Sequence, residues 1–131
     1  MPHLALVNDK PERELILEIT VPGDPVSKQR VRTGKGRTYT PAKTLDAERT
    51  LEFEFLAAGM RNPTRADVIV DVDFFVPDRG RRDIDNLLKL VFDAANGYVW
   101  DDDSQVICLF AAKFVDRENP RTELRVWKVN A

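Results

Sequence analysis

Residues 81–106 read RRDIDNLLKLVFDAANGYVWDDDSQV. Ile84, Leu87, Leu88, Val91 and Ala95 recur at helical spacing within them, which predicts an amphipathic helix over about 84–96. Gly97 supplies the C-terminal stop. Just upstream, ADVIVDVDFFVP (66–77) alternates. Val68, Val70, Val72 and Phe74 fall on one side, with Asp67, Ile69, Asp71, Asp73 and Phe75 on the other, so this is a strand that Pro77 ends. Downstream, QVICLFAAKFV (105–115) and TELRVWKV (122–129) read as two more strands, joined by the turn-rich DRENPR.

Working back towards the N-terminus, ELILEITV (14–21) is a strand in which Leu15, Leu17, Ile19 and Val21 alternate with Glu14, Ile16, Glu18 and Thr20. PGDPVSKQRVRTGKGRTY (22–39) carries two prolines and three glycines and reads as a long loop. So long a loop in a small domain suggests contact with a substrate. Residues 41–60 read as a helix, with Pro41 in the first turn and Leu45, Leu51, Phe55 and Leu56 as its apolar stripe. Gly59 and Asn62-Pro63 end it. The order β-α-β-α-β-β predicts a single small α+β domain. It should have a mixed sheet of about four strands with two helices packed on it.

The chain has 131 residues, enough for one modest core, and 43% of them are apolar. No apolar run approaches the roughly 20 residues that a membrane span needs, and the first residues show no export pattern. The one cysteine, Cys108, lies in an apolar run and reads as a buried thiol. A cytoplasmic, intracellular setting is expected. Net charge is −2, but the charge is unevenly placed. Lys28, Arg30, Arg32, Lys35, Arg37 and Lys43 form a basic run without an acid, and Arg79, Arg81 and Arg82 form a second cluster. Such runs are either solvated surface or phosphate-binding surface.

The acids carry the chemistry. Asp83 and Asp85 form a D-x-D at the start of the second helix, and Asp101, Asp102 and Asp103 follow the turn. Alternate residues of an extended segment share one side, whereas in a helix they diverge. To grip one ion, residues 83–85 must therefore form an extended approach to the helix; otherwise Asp83 or Asp85 is its N-cap. Residues 97–103 are long enough to return along the helix, so the oxygens of 83/85 and 102/103 are expected to converge on a shared cation. Carboxylates without histidine or cysteine suit Mg²⁺ or Mn²⁺. His3, the only histidine, lies near the N-terminus, away from these acids. Lys89, four residues after Asp85, either bridges to it or faces a phosphate. Asp93 continues that stripe as an ion-pair partner. Asn86 caps or orients the aspartates. Trp100 and Tyr98 read as core, and Tyr39 as the better candidate for touching nucleic acid.

Arg82-Asp83-Ile84-Asp85-Asn86-Leu87-Leu88-Lys89, then Phe92-Asp93-Ala94, then Trp100 with Asp102-Asp103-Ser104-Gln105-Val106, resembles the signature of the RusA family of Holliday-junction resolvases. Residues 23–30 resemble the family's N-terminal segment. The likeness covers residues 14–129, so residues 1–13 read as an extension and 14–131 as the RusA-like nuclease domain. It implies a small α+β homodimer with two acidic, Mg²⁺-dependent sites that nick opposed strands of a four-way DNA junction symmetrically. It also implies that Asp83, Asp85 and Asp103 are the essential carboxylates, with Asp102 beside them, and that Lys89 is the catalytic lysine. Lys28, Arg30, Arg32, Lys35, Arg37, Arg79, Arg81 and Arg82 are then candidates for holding the DNA backbone. A metal-dependent nucleotide hydrolase and a non-catalytic branched-DNA-binding module are the alternative readings.

Overall fold

The computed structural model describes residues 12–29 and 42–130 and, as backbone alone, 32–34 and 37–39. Its elements are β1 (Arg13–Pro22), β2 (Arg32–Gly34), β3 (Arg37–Tyr39), α1 (Ala42–Ala57), β4 (Val68–Val76), α2 (Ile84–Ala95), β5 (Val106–Val115) and β6 (Arg121–Val129). A 3-10 turn over Asp103–Gln105 leads into β5. The main sheet has the order β1-β6-β4-β5. β4 and β5 run parallel, while β6 is antiparallel to both β1 and β4. This is the mixed four-stranded sheet with two helices that the sequence pattern predicts.

The alternation in β4 sets the layers. Val68, Val70, Val72, Phe74 and Val76 face the helices and are buried, with Leu124 and Val126 of β6 beside them. Onto this face α2 brings Leu87, Leu90, Val91, Ala94 and Ala95. α1 adds Leu51 and Phe55. The opposite face holds Asp71, Asp73, Phe75, Arg125 and Trp127. There Phe75 stacks on Phe114, and the Arg121 guanidinium lies 3.7 Å from the Phe75 ring centre. Burial next to Asp71 raises the Asp73 carboxyl above its usual range.

Three details differ from the pattern. The buried stripe of α1 is Thr44, Leu51 and Phe55; Leu45 and Leu56 sit on its exposed flank. Thr44 is tolerated there because its hydroxyl accepts a bond from the Gln29 amide at 3.3 Å. The segment read as a plain loop contains a small antiparallel ribbon, with Arg32 opposite Tyr39 and Gly34 opposite Arg37. Cys108 is half-buried on the edge strand, not enclosed. Pro41, the Tyr39 side chain and His3 lie outside the described residues.

Candidate active site

The helix that carries the D-x-D starts from Asp83, whose backbone is extended (φ −78°, ψ 129°). Asp83 holds the N-cap position, but its side chain makes no cap bond. Its nearest cation is Arg81, at 3.7 Å across an exposed pair. Asp85 lies in the first helical turn, one residue beyond the extended segment, and accepts from the Asn86 amide at 2.9 Å. Both carboxylates are exposed. The partial positive charge of the helix N-terminus favours them there.

The second acidic segment is held by its surroundings. Gly97, at φ 83°, lets the chain turn directly after α2. Trp100 is fully buried, donates to Asn96 Oδ1 at 2.7 Å and meets Phe92 edge-on. The Asp101 amide bonds Thr64 O, and Gln105 Nε2 donates to Thr64 O and Ala66 O, each at 2.8 Å. Asp102 caps the 3-10 turn in a reciprocal box with Gln105. Hydrogen bonding from Ser104, with the nearby Lys89 charge adding to it, lowers the Asp102 carboxyl below its usual range. Asp101 pairs with Arg65.

A chain of alternating charges backs Lys89. Its ammonium lies 3.2 Å from Asp93 Oδ1, and Lys28 lies 3.3 Å from Asp93 Oδ2. Lys28 also bonds Glu48 of α1, and its backbone amide donates to Asn86 O at 2.9 Å. Burial works against the Lys28 charge, yet the bonds to Glu48 and Asp93 hold its pKa above the usual lysine range. Lys28 therefore points inward and ties the 23–29 segment to α2. Arg82 does similar work, donating to Asp78 Oδ1 at 2.7 Å and Asp24 Oδ2 at 3.1 Å. Arg79 and Arg81 are exposed. Arg30 and Lys35 lie outside the described residues, as do the side chains of Arg32 and Arg37.

One chain does not bring the two acidic segments together. Among the described residues, no three acidic or other ligating side chains stand close enough to share an ion. The reason is topological. β4 and β5 are parallel, so α2 carries the chain from one end of the sheet back to the other. Lys113, towards the far end of β5, bonds the carbonyl of Arg82. Asp103 precedes the near end of β5 and lines a surface hollow with Phe92. Seven residue steps of strand lead from Val106 to Lys113, roughly 23 Å at the rise of a strand. The oxygen-only donor set suits a hard divalent cation, but its two halves sit at opposite ends of the same helix.

Residues 22–127 match the family model described as endodeoxyribonuclease RusA. This chain belongs to the RusA family. It is 31% identical over 113 residues to the crossover junction endodeoxyribonuclease RusA of Escherichia coli strain K12, covering 82% of this chain and 91% of that one. It has the same identity and coverage with the enzymes of Shigella sonnei strain Ss046 and Enterobacteria phage 82. Asp83, Asp85, Lys89, Asp102 and Asp103 all lie inside the matched span. Of the supports around them, Asp93 was legible as an ion-pair partner, whereas Glu48 and Thr64 were not, since their partners Lys28 and Gln105 are remote along the chain. Among the described residues, no helix is long and apolar enough to cross a membrane.

Proposed function

We propose that the protein is a divalent-metal-dependent endonuclease that resolves four-way DNA junctions by paired, symmetric nicks, in the service of DNA recombination and repair. One observation carries this beyond family membership. Asp83 stands at the cap position of α2 yet caps nothing, so its charge is left for another task. A helix that needed only a cap would have bonded that side chain to its own amides.

In this reading Asp83, Asp85 and Asp103, with Asp102 beside them, are the residues to hold Mg²⁺, and Mn²⁺ substitutes for it. The ion, when bound, supplies Lewis-acid charge at the phosphate. Lys89 offsets negative charge that grows on the phosphate, and its i,i+4 pair with Asp93 fixes the ammonium along α2. Arg79 and Arg81 hold DNA backbone, together with the basic 30–39 segment that includes the β2–β3 ribbon. Lys28 and Arg82 brace the 23–29 segment, Lys28 through Glu48 and Asp93 and Arg82 through Asp24. Backbone contacts carry little sequence information, so selection of a branched shape falls to the spacing of two sites in a homodimer. The expected setting is intracellular.

The test is incubation of the purified protein with a labelled four-way junction, in Mg²⁺ and in chelator. Paired nicks that require the ion support the proposal. A junction left whole in every ionic condition overturns it; binding without cutting would point to a DNA-binding module. Hydrolysis of free nucleoside triphosphates with indifference to DNA shape would point to a nucleotide hydrolase.

A further inference from the structure

We propose that Lys28 is a positioning residue for Lys89. By taking up part of the Asp93 charge from the inner side, it sets how firmly Asp93 holds the Lys89 ammonium, and so how freely that ammonium turns to a phosphate. The inference rests on the nuclease reading above and adds to it a residue of the 23–29 segment, outside the acidic signature.

Asp93 is shared between two cations, one to each oxygen: Lys89 lies 3.2 Å from Oδ1 and Lys28 lies 3.3 Å from Oδ2. The two cations are not equivalent. The Lys89 side chain is 58% exposed and that of Lys28 only 24%, with Glu48 and Asp93 as enclosed as Lys28. Attraction is screened less on the inner side, so Lys28 holds the carboxylate more strongly than Lys89 does. Among the described residues Asp93 is the one acid paired with Lys89. How tightly Lys89 is held therefore depends on what else Asp93 binds.

The inner group is two carboxylates and one ammonium: Glu48, Lys28 and Asp93 carry a single negative charge, which Lys89 cancels from outside. Without the Lys28 charge that group would carry two, in largely enclosed surroundings. Lys89, a compact charge on a flexible stem, would be drawn onto Asp93 and away from solvent. Removing the Glu48 charge as well returns the group to one. The backbone at residue 28 does not depend on this pairing. Its amide donates to Asn86 O at 2.9 Å, and the Gln29 amide donates to Thr44 Oγ1 at 3.3 Å. A new side chain at 28 therefore changes the charge and leaves the segment docked. A brace behaves differently: losing either end of the Lys28–Glu48 bond loosens it, and losing both cannot repair it.

Turnover at saturating junction separates the two roles. Lys28→Met should slow nicking by about tenfold, the scale of one coupled contact, with little change in affinity. Lys28→Arg, which keeps the charge, should cut near the parental rate. The double variant Lys28→Met/Glu48→Gln should regain most of the loss, and Lys28→Met should slow a Lys89→Met protein no further. A double variant as slow as Lys28→Met, or additive losses with Lys89→Met, overturns the proposal. In chelator, Lys28→Met should keep the parental dependence of log affinity on log salt. A slope flatter by about one unit would make Lys28 a phosphate contact instead. One readout does not need cutting. The NMR order parameter of the Lys89 Cε methylene should rise in Lys28→Met and fall back in the double variant. An unchanged value rejects the role of Lys28. Should Lys28→Met fail to melt cooperatively, Glu48→Gln alone tests the same charge from the other side: the Lys89 order parameter should fall, and a rise overturns the proposal. A protein that leaves junctions whole while Lys89 responds in this way would defeat the nuclease reading and keep the coupling of Lys28 to Lys89.

Discussion

At its N-terminal end α2 begins from an extended Asp83 with a free carboxylate, and the acids there are exposed and loosely paired. At its C-terminal end the chain turns onto a fully buried Trp100, and the acidic segment that follows is pinned by Gln105, Thr64 and a capping box. Both ends carry aspartates of the same signature, and they are held in opposite ways. One end is left adjustable and the other is fixed to the core. A carboxylate that must adapt to an ion and a phosphate gains from freedom, whereas one that serves as a reference point gains from rigidity.

The contrast can be broken most severely at the fixed end. Trp100→Ala removes a side chain that touches the core and Asn96, and should cost about 3–5 kcal/mol, measured by urea denaturation. A loss within about 1 kcal/mol would mean that the turn is not anchored there. At the free end, Asp83→Asn should leave the melting curve unchanged while slowing junction cleavage by about 100-fold or more. Junction affinity in chelator should hold or rise, because a negative charge near phosphate has gone. Unchanged cutting by Asp83→Asn would remove that residue from the site.

Between the ends, Lys89→Met should lower turnover at saturating junction by on the order of tenfold to 100-fold, with a smaller effect on binding. Parental turnover would return Lys89 to the role of an ion pair with Asp93. Arg81→Gln is milder: it should flatten the dependence of log affinity on log salt by about one unit without changing the saturated rate. An unaltered slope would exclude Arg81 as a phosphate contact. The smallest effect is a titration. Hydrogen bonding from Ser104 depresses the Asp102 carboxyl in the folded state. The cap is therefore intact above the usual aspartate pKa of about 3.9 and is lost as pH falls through the lower folded value. The Ser104 amide resonance should move with a midpoint below that figure while the Trp100 indole signal stays still. A midpoint at or above it would show that the cap does not form in solution.

What could be read without coordinates was local. The five-residue apolar stripe of α2 fixed its extent to within a residue, because Ile84, Leu87, Leu88, Val91 and Ala95 leave no other period open. β4 was equally plain. α1 was less so: its leucines are spread around the helix, and burial follows contact with the 23–29 segment, which puts Thr44 inside and Leu45 outside. The β2–β3 ribbon hid among glycines that predict a turn but not the strands beside it. Lys28 shows the general limit. Its partner Glu48 is 20 positions away, and no spacing rule predicts a pairing at that distance. The meeting of the two acidic segments failed for a related reason. Chain length allows residues 97–103 to double back along α2, but the parallel pairing of β4 and β5 sends them to the other end of the sheet.

The burial of Trp100 has an optical consequence. The protein holds two tryptophans. One is sealed beside the acidic turn, and the other, Trp127, lies half-covered on the opposite sheet face beneath Arg13. Their emission should differ in colour and in access to a dissolved quencher such as iodide. Replacing Trp127 with phenylalanine would leave a single intrinsic lamp next to Asp101, able to follow that corner of the molecule in real time without an attached dye.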